Sequence, residues 1–253
     1  MPYHLLHVPK FALFAFMLTL SPCLVYGNDQ LEVLTENWPP FNYLKDDKVT
    51  GFATEIVEAT LKNAKIDYVI RLGVWKGVYD KVLAEKNILI YTITRTKQRE
   101  DLFDWIGPFA QRQQGLYKLK NRQDIKIEHL DDARKYVIGL QDKDAITQDL
   151  LQEGFSEKAK NIQLFGKRIL SYRSLFAGRV DLVAGMDITI KHQLMLDNLP
   201  YNKVEKAYAF DSDEGFYMAL KKGSNPSLIM RIKASFENLA SSGQLKEIIN
   251  RYR

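Results

Sequence analysis

Apolar and polar positions alternate along the chain with two periods, and these periods predict its secondary structure. Residues 88–93 read Ile-Leu-Ile-Tyr-Thr-Ile, a pattern typical of a strand buried on both faces of a parallel sheet. Shorter β-rich runs predict further strands at 31–35, 68–72, 136–140, 162–165 and 180–185. Apolar residues at helical spacing predict helices near 52–63, 78–83, 145–152, 168–177 and 226–252, the last broken near Ser242 and Gly243.

The order of these elements predicts two lobes. The first set reads β-α-β-α-β and the second set is similar, so we expect parallel sheets with helices on both sides. A polar bridge at 111–115 joins the two sets, and residues 207–215 look like a second crossing that returns the chain. We therefore predict an α/β protein with lobe 1 at 28–112 and 213–253, lobe 2 at 113–212, and two hinge crossings beside a cleft.

The first 27 residues have the pattern of a secretory signal peptide. A weakly basic start is followed by an apolar core at 11–20, too short to span a bilayer, and then by small or turn-forming residues that end at Gly27. Cleavage after Gly27 predicts export to the periplasm. The segment Leu20-Ser21-Pro22-Cys23 resembles a lipobox, but proline directly before the cysteine disfavours a lipid-anchored form.

The composition of the remaining chain argues against several functional classes. Removal of 27 residues from 253 leaves 226 without cysteine, so we expect the core rather than disulfides to hold the fold. The charge is +4, from 35 Lys and Arg (36 less Lys10) against 31 Asp and Glu. Both signs are interspersed, which argues against a nucleic-acid-binding surface and suits a soluble protein. We expect a monomer. No later segment is long and apolar enough to cross a membrane.

Polar groups collect where the strand at 88–93 ends. Thr94 and Thr96 supply hydroxyls, and Thr96 is predicted to cap a short helix with Arg99 in its first turn. Ligands of open α/β sheets bind beyond the carboxyl ends of the strands, and the planar guanidinium group of arginine matches a carboxylate. The pattern therefore suggests an anion site. The alternative is that Arg99 lies on the surface and pairs with Glu100 or Asp101.

Four short motifs resemble, in order and spacing, those of one protein family. They are Trp38-Pro39-Pro40-Phe41-Asn42-Tyr43; Val49-Thr50-Gly51-Phe52 followed by Glu55; Thr96-Lys97-Gln98-Arg99 followed by Trp105 and Gly107-Pro108-Phe109; and LFAGRVD at 175–181. Together they resemble the family 3 periplasmic solute-binding proteins of the polar amino-acid type, which work with ABC importers. The resemblance covers the whole chain after the leader. It implies a two-lobed type II (Venus-flytrap) fold that binds a small solute in the cleft.

The resemblance also implies roles for residues of the first lobe. Arg99 corresponds to the arginine that grips the ligand carboxylate, and Thr92 and Thr94 correspond to hydroxyl or backbone contacts from the preceding strand end. Neither a metal nor another cofactor is expected.

Aromatic residues of the first lobe are predicted to form the walls of the pocket. By the resemblance, Trp38 stacks over the ligand and Trp75 is its counterpart on the other side. Indole rings suit this role because they supply large apolar faces with little conformational freedom. Ordinary core packing is the alternative for both. Tyr43, which ends the first motif, is included among the predicted ligand contacts.

The second lobe departs from the family pattern. The family's aspartate for the ligand ammonium group falls on Met186, with Asp187 one residue further. Gln141-Asp142-Lys143-Asp144 replaces a Gly-Thr or Gly-Ser turn, and Lys143 favours a second anionic group on the ligand. A buried unpaired cation is costly, so Asp144 or Asp187 must reach the cleft or the ligand lacks the ammonium group. We predict weak binding of neutral L-amino acids. Alternatively, Lys143 faces solvent and Asp187 restores the ordinary site.

Three functions are compatible with these features. The first is capture of a small carboxylate-bearing solute for an ABC permease. The second is a sensory module of the same fold that reports occupancy to a membrane partner, and the third is an exported dehydratase-like enzyme. The chain after the leader has no cysteine or metal-spaced histidine cluster, and His129 and His192 stand apart. Binding without catalysis is therefore preferred.

Overall fold

The computed structural model describes residue 1, residues 30–211 and residues 214–252. The predicted signal peptide at 1–27, including Cys23, lies outside these residues apart from Met1. Within the described ranges no helix combines the length and the apolar character needed to cross a bilayer.

The described residues form twelve strands and seven α-helices. The strands are β1 (Leu31–Glu36), β2 (Tyr43–Lys45), β3 (Lys48–Thr50), β4 (Tyr68–Gly73), β5 (Ile88–Thr94), β6 (Phe103–Gln111), β7 (Gly115–Leu119), β8 (Ile138–Gln141), β9 (Ile162–Phe165), β10 (Leu182–Gly185), β11 (Val204–Ala209) and β12 (Gly215–Lys221). The helices are α1 (Phe52–Asn63), α2 (Trp75–Ala84), α3 (Ala145–Gln152), α4 (Arg168–Phe176), α5 (Asp187–Leu196), α6 (Pro226–Ser241) and α7 (Gln244–Asn250). Short 3-10 helices occur at Glu100–Leu102, Leu130–Lys135 and Tyr201–Lys203.

Lobe 1 is built on a five-stranded sheet with the order β4-β1-β5-β12-β6. Strands β1, β4 and β5 are parallel, whereas β12 runs antiparallel to both β5 and β6. All seven residues of β5 are buried, which explains why its apolar run is unbroken. Helices α1, α6 and α7 pack against one face of this sheet, and α2 packs against the other.

Lobe 2 repeats this plan with the order β11-β7-β10-β8-β9. Strands β8, β9 and β10 are parallel, and β7 runs antiparallel to β10 and β11. Both sheets therefore combine a parallel part with strands contributed by the crossings between lobes.

The chain passes between the two sheets twice, between β6 and β7 and between β11 and β12. The backbone N–H of Arg112 donates to the carbonyl of Glu214 at 2.8 Å, and the N–H of Phe210 donates to the carbonyl of Gln114 at 3.0 Å. The buried guanidinium group of Arg112 also contacts Gln114, Glu214 and Asp149. The lobe boundaries expected from the sequence, 112/113 and 212/213, stay predictions, and residues 212 and 213 lie outside the described part of the chain.

The end of β5 differs from its prediction. Thr96 does not cap a helix, because its hydroxyl has no partner among the described residues and the short 3-10 turn begins only at Glu100. Instead, the carbonyl of Thr96 accepts from the N–H of Arg99 at 3.0 Å. The chain then continues into β6, which β12 separates from β5 in the sheet.

Candidate functional site

The candidate site lies between the two lobes, where strands of both sheets end. Glu36 ends β1 and Thr94 ends β5, while Gln141 ends β8 in the opposite lobe. Parallel strands bring their carboxyl ends to one edge of a sheet, so side chains that are distant in sequence meet there. The turn after Gln141 then lies against lobe 1.

Arg99 is the most deeply buried charged side chain of this cluster, with 1% exposure. Its Nη1 donates to the carbonyl of Thr94 at 3.2 Å, and its Nη2 donates across the cleft to the carbonyl of Lys143 at 2.9 Å. The predicted alternative of a surface residue is wrong. The residue that pairs with Glu100 is Arg95, four positions earlier.

Aromatic rings surround the guanidinium group of Arg99. Its Cζ lies 4.9 Å from the ring centroid of Tyr79 and 5.8 Å from that of Trp75. The two rings are one helical turn apart on α2, which places them on the same face. The indole Nε1 of Trp75 also donates to the carbonyl of Lys143 at 2.9 Å. Arg99 and Trp75 thus hold the same carbonyl of lobe 2.

Trp38 forms part of the lobe 1 surface that faces lobe 2. Its ring stacks on Phe41 with 4.8 Å between centroids and an interplanar angle of 19°, and it meets Phe216 edge to face. The guanidinium carbon of Arg168, from lobe 2, lies 4.5 Å from the same ring centroid, and Trp38 is only 3% exposed. Trp38 therefore packs in the core of lobe 1 and also contacts lobe 2.

Arg168, the first residue of α4, links the lobes through charge. Its Nη1 donates to Oδ2 of Asp144 at 2.9 Å, and its Nη2 donates to Oε1 of Glu36 at 3.1 Å. Gln141 donates from Nε2 to Oε2 of Glu36 at 2.6 Å. Asp144 also caps α3, because its Oδ1 accepts from the N–H of Ala145 at 2.7 Å.

Burial and neighbouring charges shift the pKa values of this cluster in different directions. Burial raises the pKa of Glu36 and lowers the pKa of Arg99. Burial also opposes ionisation of Asp144, but Arg168 and Arg112 outweigh it and hold the pKa of Asp144 below its ordinary value. Within the described part of the chain, no carboxylate lies within ion-pair distance of Arg99. Arg99 is thus a buried cation that donates to two backbone carbonyls and interacts electrostatically with Tyr79 and Asp144.

Thr92 and Thr94 reach the site in different ways. Thr94 contributes its carbonyl to Arg99. Thr92 adopts a positive φ of 59°, an uncommon conformation for a β-branched residue, and its hydroxyl donates to Oδ1 of Asn42 at 2.6 Å. Asn42 in turn donates to the backbone carbonyl of Glu36 at 2.6 Å. Thr92 therefore acts on the charged cluster through Asn42, which holds the backbone carbonyl of Glu36.

The structure does not bring two of the predicted residues to the cluster. Tyr43 begins β2 and pairs with Thr50 in the short hairpin of lobe 1. The side chain of Asp187 is 59% exposed, accepts from the hydroxyl of Tyr117 at 2.9 Å and pairs with Lys206 at 2.7 Å. Only Asp144 of the two proposed acids lies beside the charged cluster.

Sequence reasoning also missed residues that the fold assembles here. These are Glu36, Tyr79, Gln141 and Arg168. Glu36 directly follows an apolar strand, and this position beyond a strand end is a usable signal. No comparable signal marks Arg168, whose role depends on how the second lobe faces the first.

Hydrogen-bond donors predominate among the unpaired polar atoms at this site. Three buried N–H groups have no hydrogen-bond partner in the described ranges: Nε1 of Trp38, Nε of Arg99 and Nε of Arg168. A cavity of about 480 Å³ adjoins Arg168, and Glu36, Trp75 and Gln141 also line it, whereas Trp38 and Arg99 do not. Unpaired buried donors of this kind suit a ligand that brings acceptor oxygens.

A two-lobed α/β chain with a buried polar cluster between its lobes has the architecture of the periplasmic binding proteins of type II. The model of the bacterial extracellular solute-binding proteins, family 3, matches residues 31–253, and the chain belongs to this family. The two-lobed fold and the family that the motifs indicated are thereby confirmed.

Individual relatives and solved structures are similar over most of the chain. A "Probable histidine-binding protein" of Campylobacter jejuni is 23% identical over 219 residues, which cover 85% of this chain and 81% of the relative. The crystal structure of a histidine kinase sensor domain matches with a TM-score of 0.79 at 16% identity, covering 88% of this chain and 96% of that domain. An ancestral arginine-binding protein bound to arginine matches with a TM-score of 0.77 at 22% identity, covering 88% and 97%. These two structural likenesses show the fold.

Proposed function

We propose that the protein is an exported binding protein that captures a small carboxylate-bearing solute between its lobes. The observation that carries this proposal is Arg99, a guanidinium group with 1% exposure and no carboxylate within ion-pair distance in the described part of the chain. A buried cation is costly unless an anion compensates it. A ligand carboxylate supplies that anion and matches the planar donor geometry of arginine.

The carbonyl of Lys143 marks the place where we propose that the ligand carboxylate binds. This carbonyl accepts hydrogen bonds from Nη2 of Arg99 and from Nε1 of Trp75, both at 2.9 Å. A carboxylate oxygen at that position would accept the same two donors and add a full negative charge. Trp75 and Trp38 then form the apolar walls of the site.

Closure of the lobes is the step that turns binding into a signal. A ligand stabilises the closed form only through its higher affinity for that form, and a shift from mostly open to mostly closed needs about 5 kcal/mol of such difference. Contacts from Arg99 and Trp75 in lobe 1 and from the 141–144 turn in lobe 2 supply it in this proposal. The closed surface is then presented to an ABC permease.

A second candidate is a sensory module that reports occupancy to a membrane partner. The likeness in fold to the histidine kinase sensor domain supports considering it. The same cleft serves both roles, so the partner separates them: co-purification with a permease supports the first and with a receptor kinase the second. Chemical conversion of the ligand is not part of either proposal, and recovery of the bound ligand in altered form would favour an enzyme instead.

A ligand panel tests the proposal directly. Small carboxylic acids, amino acids and their amides would be screened by thermal shift, since a ligand that binds only the native state raises the melting temperature. We expect at least one carboxylate to stabilise the wild-type protein and its amide to do so weakly. An Arg99→Ala protein should lose the response. Equal responses to acid and amide would contradict the proposal.

A further inference from the structure

The guanidinium group of Arg168 lies among groups that have the chemistry of a cation-binding site. Asp144 of the same lobe approaches to 2.9 Å, and Glu36 of the opposite lobe approaches to 3.1 Å. The ring of Trp38 covers the guanidinium face with 4.5 Å between Cζ and the ring centroid. Two carboxylates and an indole face are suitable partners for an organic cation.

The acids of this cluster have little capacity left for another cation. Besides Arg168, Glu36 accepts from Gln141 at 2.6 Å, and Asp144 accepts from the backbone of Ala145 at 2.7 Å. Arg168 is only 6% exposed, so it fills the space between the two carboxylates. The cluster thus contains its own cation.

The neighbouring part of lobe 2 offers no replacement acid. Met186 is 7% exposed and packs with the lobe 1 core around Trp38 and Phe216. Asp187 pairs instead with Lys206, and its side chain is 59% exposed. Asp197 also lines the cavity, but it already pairs with Arg173. In the described residues around the cleft, the acids beside Trp38 and Gln141 are the two that Arg168 occupies.

We propose that Arg168 is a specificity-determining residue that occupies the subsite for a ligand cation, so that the solute carries a carboxylate but no adjacent ammonium or guanidinium group. The inference rests on the proposed function, because it names the ligand class for the same cleft. Arg168 pairs directly with two acids, whereas in the described residues no carboxylate lies within ion-pair distance of Arg99 and its electrostatic partner among the acids, Asp144, already pairs with Arg168. A simple carboxylate completes this balance, whereas an amino acid would bury its ammonium group beside a resident cation.

Matched ligand pairs test the ligand class in the wild-type protein. Each pair consists of an amino acid and the same acid without its amino group, such as alanine with propionate and glutamate with glutarate, compared by titration calorimetry. We expect the acid without the amino group to bind at least about tenfold more tightly, because one buried unpaired charge separates the two ligands. Tighter binding of the amino acid would overturn the inference.

Removal of Arg168 tests the cation subsite without any carboxylate ligand. Methylguanidinium is the probe, because it carries the cation alone. Arg168→Ala should bind it at least about tenfold more tightly than the wild type does, since Glu36, Asp144 and the face of Trp38 become available. The gain should disappear in Arg168→Ala combined with Glu36→Gln. It should persist when Arg168→Ala is combined with Asp187→Asn, which removes an acid outside the cluster.

Arg168→Ala leaves two buried acids unpaired and could fail to fold, so a second variant is needed. Arg168→Met keeps an apolar chain against Trp38, and its melting temperature should rise with added methylguanidinium more than that of the wild type. Equal binding of the probe by wild type and variants, or by neither, would overturn the inference. If no carboxylate of the ligand panel binds but Arg168→Ala still binds methylguanidinium more tightly than the wild type, the proposed function is rejected and the cation subsite is retained.

Discussion

Replacement of Arg99 by methionine separates the contribution of this residue to binding from its contribution to stability. Methionine has a similar length and fills the space between Tyr79 and Trp75 without a charge. Burial lowers the pKa of Arg99, which means that the folded protein disfavours its charged form. The residue is therefore expected to act in binding rather than to stabilise the empty protein.

The magnitude follows from the contacts that the substitution removes. Two hydrogen bonds from a charged donor to carbonyls contribute about 1.5–3 kcal/mol each, and the ring contacts add up to about 2 kcal/mol. Desolvation of the buried guanidinium group opposes them by several kcal/mol. The carbonyl of Lys143 keeps its bond from Trp75. We expect Arg99→Met to change the free energy of unfolding by no more than about 1 kcal/mol.

Ligand affinity should respond very differently. Loss of one partner from a buried charge pair costs about 2–5 kcal/mol, which corresponds to a Kd raised about 30-fold to 5,000-fold. Calorimetry with a carboxylate from the panel and urea denaturation of the empty protein measure the two quantities. Arg95→Met is the matched control, because Arg95 is 40% exposed and pairs with Glu100. A destabilisation above about 3 kcal/mol with unchanged affinity would refute this reasoning.

Three further outcomes are expected. Ligand binding should change the intrinsic fluorescence, and a full signal retained by both Trp38→Phe and Trp75→Phe would contradict their position at the pocket walls. Burial raises the pKa of Glu36 above its ordinary value of 4.5. Between the ordinary and the raised pKa the folded state therefore holds more protons than the unfolded state, and the stability of the wild type falls as the pH rises through this range. Denaturation between about pH 4 and pH 8 should therefore show Glu36→Gln gaining stability relative to wild type as pH increases, and a constant difference would contradict it. Arg112→Ala should lower the free energy of unfolding by about 1–3 kcal/mol, because its partners Asp149 and Glu214 are only partly buried; an unchanged urea midpoint would show that the hinge contacts contribute nothing.

Local sequence patterns predicted much of the secondary structure because burial imposes a period on each element. The buried strand β5, the helix α3 at Ala145–Gln152 and the strand β9 at Ile162–Phe165 match their predictions closely. The break between α6 and α7 falls at Gly243, whose φ of 84° suits glycine. These features depend on residues close in sequence, so the sequence alone specifies them.

The strands beside the hinge were harder to recognise. Strand β6 alternates irregularly between buried and exposed positions, and β12 pairs with both β5 and β6 through register shifts. Their place in the sheet depends on partners more than 100 residues away along the chain. Periodicity within one segment carries no information about such partners.

For Arg99, the sequence predicted one part of the site and the tertiary structure supplied the other. Its position just beyond a buried strand, together with the family motif, identified it as a candidate for carboxylate binding. Its burial and its hydrogen bond to Lys143 depend on the two lobes facing each other.

The second cation of the site was decided by tertiary structure alone. Arg168 meets Glu36 across 132 positions of sequence and covers Trp38 from the opposite lobe. Asp144 lies in the cluster and Asp187 does not, although the sequence offered both as candidate acids for a ligand ammonium group. The sequence by itself determined the strands, the helices and the family; the closure of one lobe on the other determined which charges meet, because electrostatic pairing depends on distance in space and not along the chain.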